Sequence, residues 1–290
     1  MKNKIILTVK KWIASRTELE QRTISTIVII ATSPCLIIGK LPLWILIFVL
    51  AILGIREFIA AVNKIDCHPS KSTCYAMTVT LFSTYFLIHV IPKIYVDKIV
   101  LVWIFVGLII SLTYGWWRYC KSGQMQFCNS YATIVALLYI PLSMYAIILI
   151  DISQHILTYV VIIAAFGSDL FAFITGKSLN NLNKKTHKLT PKLSPNKTIE
   201  GAIGGLIGCT LISLIFSLIF AKEMWIAYVV MSFIGGIAAE CGDLVASAIK
   251  RQVGIKDYGT ILPGMGGILD RFDSVLLVAP TIYFLAPILL

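Results

Sequence analysis

The chain has few charged residues and contains no polar stretch long enough to form a soluble domain. Only 13% of its 290 residues are Asp, Glu, Lys or Arg, whereas 58% are hydrophobic. This composition excludes an ordinary soluble globular protein. Apolar stretches near the bilayer-spanning length of about 20 residues recur along the whole sequence, so the body of the protein is predicted to lie in a membrane.

The sequence also lacks the motifs of several common functional sites. Its seven cysteines form no CxxC pair and fall mostly in or beside apolar stretches, so we expect neither a zinc site nor a disulfide framework. Its four histidines show no HExxH spacing. Gly176-Lys177-Ser178 is like the end of a phosphate-binding P-loop, but Phe171 stands where the first glycine belongs, and we reject that motif.

Hydropathy predicts an all-α, polytopic integral membrane protein with about nine transmembrane helices. The predicted spans are residues 23–39, 41–56, 75–92, 99–117, 131–150, 155–175, 201–220, 225–249 and 274–290. Lys40 and Pro42 lie between the first two spans and indicate a tight hairpin. Residues 1–22 are predicted to form an amphipathic tail on the cytoplasmic leaflet, because lysines interrupt their short apolar run.

The basic residues give the predicted orientation of these spans. With the N-terminus in the cytoplasm and the C-terminus on the opposite face, nearly all of the 25 Lys and Arg residues lie on the cytoplasmic side, as the positive-inside rule requires. The exceptions are Lys40, Lys93, Lys98 and Lys222. The formal net charge of +11 is therefore explained by orientation and contact with anionic lipids, and we expect no nucleic-acid partner.

Acidic and basic residues gather near the C-terminus. Glu240 and Asp243 lie inside the eighth span, where a carboxylate is costly without a partner or a function. Ser247 and Lys250 follow at helical spacing, so all four residues share one helix face. Further charged residues follow at Arg251, Lys256, Asp257, Asp270, Arg271 and Asp273. Acids that hold a divalent cation, next to bases that hold phosphates, indicate phosphoryl or nucleotidyl transfer.

A glycine-rich turn separates the two groups of acids. It contains Pro263, Gly264, Gly266 and Gly267, and its glycines allow the backbone to approach a ligand closely. Beyond the turn, Asp270 can return to the depth of Asp243. Two such carboxylates repel each other unless a cation or a proton lies between them, and hard oxygen ligands favour magnesium over zinc.

Two segments further upstream carry polar groups that fit the same face. Asp169 lies near the cytoplasmic end of the sixth span, level with the later acids. In the segment before the seventh span, Ser194 and Thr198 can donate hydrogen bonds and Lys197 has a charge suited to phosphate. Thr198 is predicted to cap the seventh span, whose N-terminal amides then face the site.

At these residues the chain resembles the phosphatidate cytidylyltransferase (CDP-diacylglycerol synthase) family, whose signature is Ser-x-x-Lys-Arg, four residues, Lys-Asp, then Pro-Gly-His-Gly-Gly and Asp-Arg-x-Asp. The matching residues are Ser247, Lys250, Arg251, Lys256, Asp257, Pro263, Gly264, Gly266, Gly267, Asp270, Arg271 and Asp273. The family's Ser-Pro-Lys-Lys-Thr-x-Glu-Gly motif is matched by Ser194, Pro195, Lys197, Thr198, Glu200 and Gly201, with Asn196 replacing the first lysine. Met265 replaces the family histidine. The resemblance covers roughly residues 160–275.

The resemblance implies a reaction of CTP with phosphatidate that gives CDP-diacylglycerol and pyrophosphate. The implied catalytic residues are Asp243, Lys250, Arg251, Lys256, Asp270 and Arg271. The implied substrate-binding residues are Ser194, Lys197, Thr198, Ser247, Gly264, Gly266 and Gly267. The implied ligands of Mg²⁺, with a second metal ion left open, are Asp243, Asp270 and Asp273.

The resemblance also implies a domain organisation and a location. Residues 1–160 are expected to form a region of N-terminal transmembrane helices, and residues 161–290 the catalytic transmembrane region. The partners are CTP, phosphatidate and the lipid bilayer of the cell inner membrane or plasma membrane, with a homodimer as the family's usual state. A related CTP-dependent lipid enzyme, such as a polyprenol kinase or an ether-lipid CDP synthase, and a transporter remain as alternatives.

Overall fold

The computed structural model describes residues 17–88, 93–122, 127–181 and 187–290. Most of the predicted amphipathic tail, residues 1–16, lies outside these ranges. The rest of it belongs to the start of the first helix, where Thr17 and Glu20 form a capping box. The Thr17 hydroxyl accepts a hydrogen bond from the Glu20 amide (3.4 Å), and the Glu20 carboxylate accepts one from the Thr17 amide (2.9 Å).

The described residues are almost entirely helical. The helices up to residue 153 are α1 (Glu18–Ile38), α2 (Lys40–Val62), α3 (Lys71–Ile88), α4 (Lys93–Ser122), α5 (Phe127–Leu137) and α6 (Ser143–Ser153). The later helices are α7 (His155–Ile162), α8 (Ser168–Asn181), α9 (Ile199–Phe220), α10 (Trp225–Val253), α11 (Leu269–Phe272) and α12 (Val275–Leu289). The strands β1 (Lys188–Thr190) and β2 (Ser194–Thr198) pair as a small antiparallel hairpin between α8 and α9.

Within the described ranges, seven helical runs are long and apolar enough to cross a membrane. They are Glu20–Ile38, Lys40–Ile65, Val96–Cys120, Phe127–Ser153, His155–Leu179, Ile199–Phe220 and Lys222–Val253. These runs confirm the all-α, polytopic membrane class. Each of the nine predicted spans overlaps a helix within the described ranges, but α3 and the shorter apolar α12 are not among the seven. The count of nine, and the membrane side of each terminus, stay predictions.

The helical path contains two irregular turns that hydropathy did not predict. Residues Leu138–Leu142 form a π-helical turn that joins α5 to α6, and Ile163–Gly167 form a second one between α7 and α8. Pro141 lies inside the first turn, and proline disturbs a regular helix because it has no amide proton and its ring clashes with the preceding turn. Such π turns are frequent at functional sites.

The prediction that the cysteines form no disulfide is wrong for one pair. Cys67, just after α2, is bonded to Cys128 at the start of α5. The two residues are 61 positions apart, and a spacing rule that looks for nearby pairs cannot detect a contact made by helix packing. Cys74 and Cys209 are buried, as expected of small apolar residues.

The helices pack around one continuous cluster of buried side chains that extends from Leu43 in α2 to Ile282 in α12. Tyr145 and Tyr228 are its largest fully buried members. Apolar side chains on α4 and α9, by contrast, are largely exposed, as expected of surfaces that face lipid. The predicted division at residue 160 is untested by this packing and stays a prediction.

Candidate active site

One face of α10 carries the acids and bases that the sequence analysis placed together. Glu240, Asp243, Ser247 and Lys250 are all partly buried in the second half of this helix. The Ser247 hydroxyl donates a hydrogen bond to Asp243 Oδ1 at 3.4 Å. The predicted shared face is therefore present, and it meets two separate lysine–acid clusters.

The first cluster joins the β-hairpin to α10. Lys197, in β2, has its Nζ atom 2.7 Å from Glu240 Oε2 and 2.6 Å from Asp243 Oδ2. Burial acts to lower the pKa of Lys197, but Asp243 and Glu240 together raise it above its ordinary value. Lys197 therefore stays a cation between two carboxylates, with a side chain that is only 20% exposed.

The second cluster joins α10 to the segment after the glycine-rich turn. Lys250 Nζ lies 2.9 Å from Asp270 Oδ1 and 4.0 Å from Asp273 Oδ2. The other oxygen of Asp270 accepts hydrogen bonds from the amides of Tyr258 (2.8 Å) and Gly267 (2.9 Å). Asp270 thus holds the two arms of the loop together, which a prediction of metal binding alone did not anticipate.

The glycine-rich turn has the geometry that its sequence requires. The Met265 amide donates to the Leu262 carbonyl at 3.0 Å and closes a four-residue turn with Pro263 second and Gly264 third. Gly264 has φ +68°, the value that a type II turn demands at its third position and that glycine adopts without strain. Met265 itself packs partly against the buried cluster.

Glu57, in α2, supports this turn and was missed by the sequence analysis. Its carboxylate is buried, with 4% exposure, and accepts hydrogen bonds from the amides of Ile268 (3.0 Å) and Leu269 (2.9 Å). A Cβ atom at Gly267 would lie 2.5 Å from Glu57 Oε2, so the carboxylate needs a glycine there. The predicted second span ended at residue 56, which placed Glu57 in a loop and hid the only sequence signal, an acid within an apolar helix.

Asp169, in the sixth predicted span, is linked through Ser274 to Asp273. The Ser274 hydroxyl donates to Asp169 Oδ2 at 3.3 Å, and its amide donates to Asp273 Oδ1 at 2.9 Å. The pKa of Asp273 is raised to about 7, mainly by burial and next by the charge of Asp243. The charge of Lys250 acts in the opposite direction. Asp169, Asp243 and Asp273 therefore act on one another, as their predicted common depth requires.

A cavity of about 500 Å³ lies beside the first cluster. Its walls come from α8, the β-hairpin, α9 and α10, and its lining residues are Asp169, Ala172, Phe173, Gly176, Lys177, Lys188, Asn196, Lys197, Thr198, Gly201, Ala202 and Glu240. Glu240 Oε1 is buried and has no hydrogen-bond partner among the described residues. The cavity is thus lined by three lysines and by Glu240, one oxygen of which accepts no hydrogen bond from the described residues.

The remaining predicted site residues lie around this centre. Thr198 caps α9, as predicted, by accepting a hydrogen bond from the Gly201 amide at 3.0 Å. Arg251 is exposed, and its Nε donates to the Leu193 carbonyl at 3.4 Å. Lys256 and Arg271 are also exposed. The partly buried Ser194 begins β2, so the structure places the predicted bases in an inner pair of lysines and an outer set of exposed cations.

Some of the acids predicted to bind magnesium are already engaged by other groups of the protein. Within residues 17–88, 93–122, 127–181 and 187–290, no three acids, histidines or cysteines are spaced as a ready-made metal cluster. Carboxylate oxygens are nevertheless the ligands that magnesium prefers. The oxygens of Asp270 are engaged by Lys250 and two amides, and those of Asp243 by Lys197 and Ser247. Asp243 and Asp273 lie close enough to affect each other electrostatically. The assignment of Asp270 as a ligand stays a prediction.

Comparison with known proteins gives short, strong matches to curated relatives. The chain is 55% identical over 49 residues to an uncharacterised protein, YnbB, of Escherichia coli K12, which covers 17% of this chain and 16% of that protein. It is 51% identical over 61 residues to the phosphatidate cytidylyltransferase of Bacillus subtilis 168, covering 21% and 23%. For the phosphatidate cytidylyltransferase of Rickettsia felis the identity is 47% over 57 residues, covering 20% and 25%. The matches thus span a quarter or less of the relatives' own lengths.

A much longer match comes from a protein-family model. The model of the cytidylyltransferase family matches residues 20–289, which includes α10, the glycine-rich turn and both lysine–acid clusters. The match extends across almost all of the described helices, beyond the region where the sequence motifs alone carried the resemblance. The chain belongs to the cytidylyltransferase family.

Proposed function

We propose that the chain is a nucleotidyltransferase that converts CTP and phosphatidate to CDP-diacylglycerol and pyrophosphate in phospholipid biosynthesis. The observation that carries this proposal is the pair of lysines, Lys197 and Lys250, each held between two acids. Such a site can bind phosphates through its cations and a metal ion through its acids. Two of the relatives bear the name phosphatidate cytidylyltransferase.

The proposed reaction requires little acid–base chemistry from the protein. An oxygen of the lipid phosphate attacks the α-phosphorus of CTP in line, the new P–O bond forms, and the bond from the α-phosphorus to the bridging oxygen breaks to release pyrophosphate. A phosphate monoester is already an anion at neutral pH, so no strong base is needed. The site must position the two substrates and neutralise their charge, which is why methionine at position 265 is compatible with activity.

The structure suggests how these tasks are divided. Lys197 and Lys250 are largely buried inside the site, so we propose that they contact the reacting phosphates. The bases Arg251, Lys256 and Arg271 are exposed and are proposed to attract the triphosphate of CTP from solution. Ser194, Thr198 and the amides of Gly264 and Gly266 are proposed as further hydrogen-bond donors. Ser247 can join them only if its hydroxyl leaves Asp243, to which it now donates. The amide of Gly267 already donates to Asp270, so its contribution is to fix the turn.

Magnesium fits this site best when the nucleotide supplies part of its coordination shell. Mg²⁺ is commonly held by one or two carboxylates together with substrate phosphates and water, and Asp243 and Asp273 are the acids proposed to hold it. When bound, the ion neutralises charge on the triphosphate. Lys197 lies 2.6 Å from Asp243 Oδ2, so we propose that this lysine moves to the phosphates when the ion binds. Asp270 can join the ligands only if Lys250 likewise leaves its Oδ1 atom, from which it is now 2.9 Å away. A second metal ion would need ligands beyond these three acids.

The proposed location is the cytoplasmic face of the cell inner membrane or plasma membrane, with a homodimer as the expected assembly. The active site lies where α8 ends, α9 begins and α10 ends. The start of α1 reaches the same end of the molecule, because the Ser25 hydroxyl donates to the Pro263 carbonyl at 2.7 Å. The predicted cytoplasmic N-terminus and the active site are therefore expected on one side of the membrane.

The direct test is an assay of the purified protein in lipid vesicles with Mg²⁺ and CTP labelled at the α-phosphate. With phosphatidate, we expect labelled CDP-lipid and one pyrophosphate per product. In a parallel assay with CTP labelled at the γ-phosphate, transfer of the label to a polyprenol would instead identify a lipid kinase. A strong preference for ether-linked phosphatidate would identify an ether-lipid synthase. If no lipid becomes labelled or phosphorylated, while ions cross the vesicle membrane, the transporter alternative replaces the proposal.

A further inference from the structure

Tyr139 has a buried hydroxyl that makes no hydrogen bond within the part of the chain that the structure describes. It lies in the π-helical turn Leu138–Leu142, between α5 and α6. A buried hydroxyl without a partner loses its hydrogen bonds to water and gains none in return. Phenylalanine would fill the same space without this loss, so the hydroxyl calls for an explanation outside the protein's own packing.

The turn that contains Tyr139 lies against the signature segment. Gly54 in α2 is in contact range of both, since a Cβ atom there would lie 3.2 Å from the side chain of Ile140 and 3.2 Å from that of Leu269. Ile140 directly follows Tyr139, and Leu269 directly precedes Asp270. The charges of Asp243 and Asp273 act on the Tyr139 hydroxyl, and Tyr139 in turn acts on Tyr258.

A second unpaired hydroxyl follows the other π turn. Ser168, immediately after Ile163–Gly167, is fully buried, and its Oγ atom has no partner among the described residues. The next residue is Asp169, which lines the cavity and accepts a hydrogen bond from Ser274. Each π turn thus contains or directly precedes a buried hydroxyl that has no partner among the described residues.

We propose that the Tyr139 hydroxyl binds a phosphate oxygen of a substrate, an inference that rests on the proposed function. A tyrosine hydroxyl can donate one hydrogen bond, and the charged groups that act on Tyr139 are the carboxylates of Asp273 and Asp243. The Tyr258 hydroxyl already donates to the Ala246 carbonyl at 3.3 Å. A phosphate held by Lys250 and a metal ion beside Asp243 and Asp273 gives the Tyr139 hydroxyl an anionic acceptor.

The substitution Tyr139→Phe tests this role because it removes the hydroxyl and keeps the ring. Since the hydroxyl has no partner in the described protein, we expect the thermal unfolding of Tyr139→Phe to match that of the wild type or to occur at a slightly higher temperature. We expect kcat/KM to fall about 10- to 100-fold, the range for a lost hydrogen bond to a charged group. A merely structural tyrosine would give the opposite pattern.

The kinetic constants then identify which phosphate is bound. A raised KM for CTP assigns the hydroxyl to the nucleotide, and a raised KM for phosphatidate assigns it to the lipid phosphate. A lower kcat at unchanged KM assigns it to the transferring phosphoryl group. Equal kinetic constants for Tyr139→Phe and the wild type would overturn the inference.

The matched control is Tyr145→Phe on the same helical run. The Tyr145 hydroxyl is buried and paired with Thr84 Oγ1 at 2.5 Å, so its removal should lower stability and leave the kinetic constants unchanged. Binding of CTP can be measured as the shift that CTP causes in the thermal unfolding of the purified protein, and this measurement does not depend on product formation. If the wild type binds CTP but forms no CDP-lipid, the proposed reaction fails. The inference is then overturned separately if Tyr139→Phe and the wild type show equal thermal shifts both with CTP and with phosphatidate.

Discussion

Asp151 and Glu240 lie at opposite ends of α2 and α10, and their surroundings differ. Asp151 lies near the starts of these helices, and both of its oxygens are used: one accepts from the Lys40 amide at 2.7 Å, and the other pairs with His155. Glu240 lies towards the other end, lines a cavity, and has one buried oxygen without a partner in the described chain. Both are acids within membrane-spanning helices, which by itself suggests a function.

The comparison shows that burial of an acid does not by itself indicate a functional site. The ring of His155 bridges from Asp151 to the Ile37 carbonyl at 3.2 Å, so this group ties the end of α1 to α6 and α7 and leaves no oxygen for a ligand. At the other end, the polar atoms of Glu240, Tyr139 and Ser168 are unpaired within the described residues. We therefore expect substitutions to affect stability at the Asp151 end and turnover at the Glu240 end.

The largest expected effect follows from Asp243→Asn. This change removes a negative charge from the first cluster and from the proposed metal site, while the amide keeps the size of the side chain. We expect CDP-lipid formation to fall at least 100-fold, in line with about 3–4 kcal/mol for the loss of one electrostatic contact to a transition state. Chelation of metal ions in the wild type should have a similar effect, and full activity in EDTA would refute the metal assignment.

Glu57→Gln should have the next largest effect, on both stability and turnover. The amide keeps one oxygen, so one of the Ile268 and Leu269 amides loses its acceptor. We expect the free energy of unfolding to fall by about 1–3 kcal/mol and turnover by several-fold as the turn loosens. The exposed Glu223→Gln is the control. If Glu57→Gln has wild-type unfolding and kinetics, the carboxylate does not support the turn.

Asp151→Asn should separate the two ends of the molecule. Replacement of this acid breaks the pair with His155 and leaves one polar group without its charged partner. We expect chemical unfolding of the purified protein to show a loss of about 1–3 kcal/mol, with turnover per folded molecule unchanged. A large loss of turnover in fully folded Asp151→Asn would mean that this end also takes part in the reaction.

The smallest expected effect is a gain from Met265→His. The turn keeps its shape with any residue there, because the contact to Leu262 uses the Met265 amide, and an imidazole can donate to a phosphate. We expect turnover to rise by about 5- to 30-fold, which corresponds to about 1–2 kcal/mol. Tyr258 is poorly placed to substitute, since its hydroxyl donates to the Ala246 carbonyl. Unchanged or lower turnover in paired assays would show that the site has adapted to methionine.

The sequence was sufficient to predict the parts of this site that are local. Helical spacing placed Glu240, Asp243 and Lys250 on one face of α10. The cap at Thr198 was predictable because its side chain accepts a hydrogen bond from an amide only three residues later. The contacts of Glu57 with the amides after the turn join residues more than 200 positions apart. No periodicity encodes such a contact, so packing alone reveals it.

The same limit explains the other findings that sequence reasoning missed. The bond between Cys67 and Cys128 and the ring of contacts around Asp151 depend on which helices become neighbours. Tyr139 was hidden for a different reason. In the sequence it is an ordinary aromatic residue of an apolar span, and only the structure shows the π turn and the buried hydroxyl without a partner among the described residues. The roles of individual acids, such as Asp270 as an anchor of the turn, also needed the positions of backbone amides.

The most direct test of this account is a map of where the nucleotide binds. Amide hydrogen exchange of the protein in lipid discs, with and without Mg²⁺ and CTP and without lipid acceptor, reports on both ends of the molecule in one experiment. We predict slower exchange at residues 188–201 and 256–267, and unchanged exchange around residues 37–40 and 151–155. Protection at the Asp151 end, or none at the glycine-rich turn, would contradict the assignment of the active site.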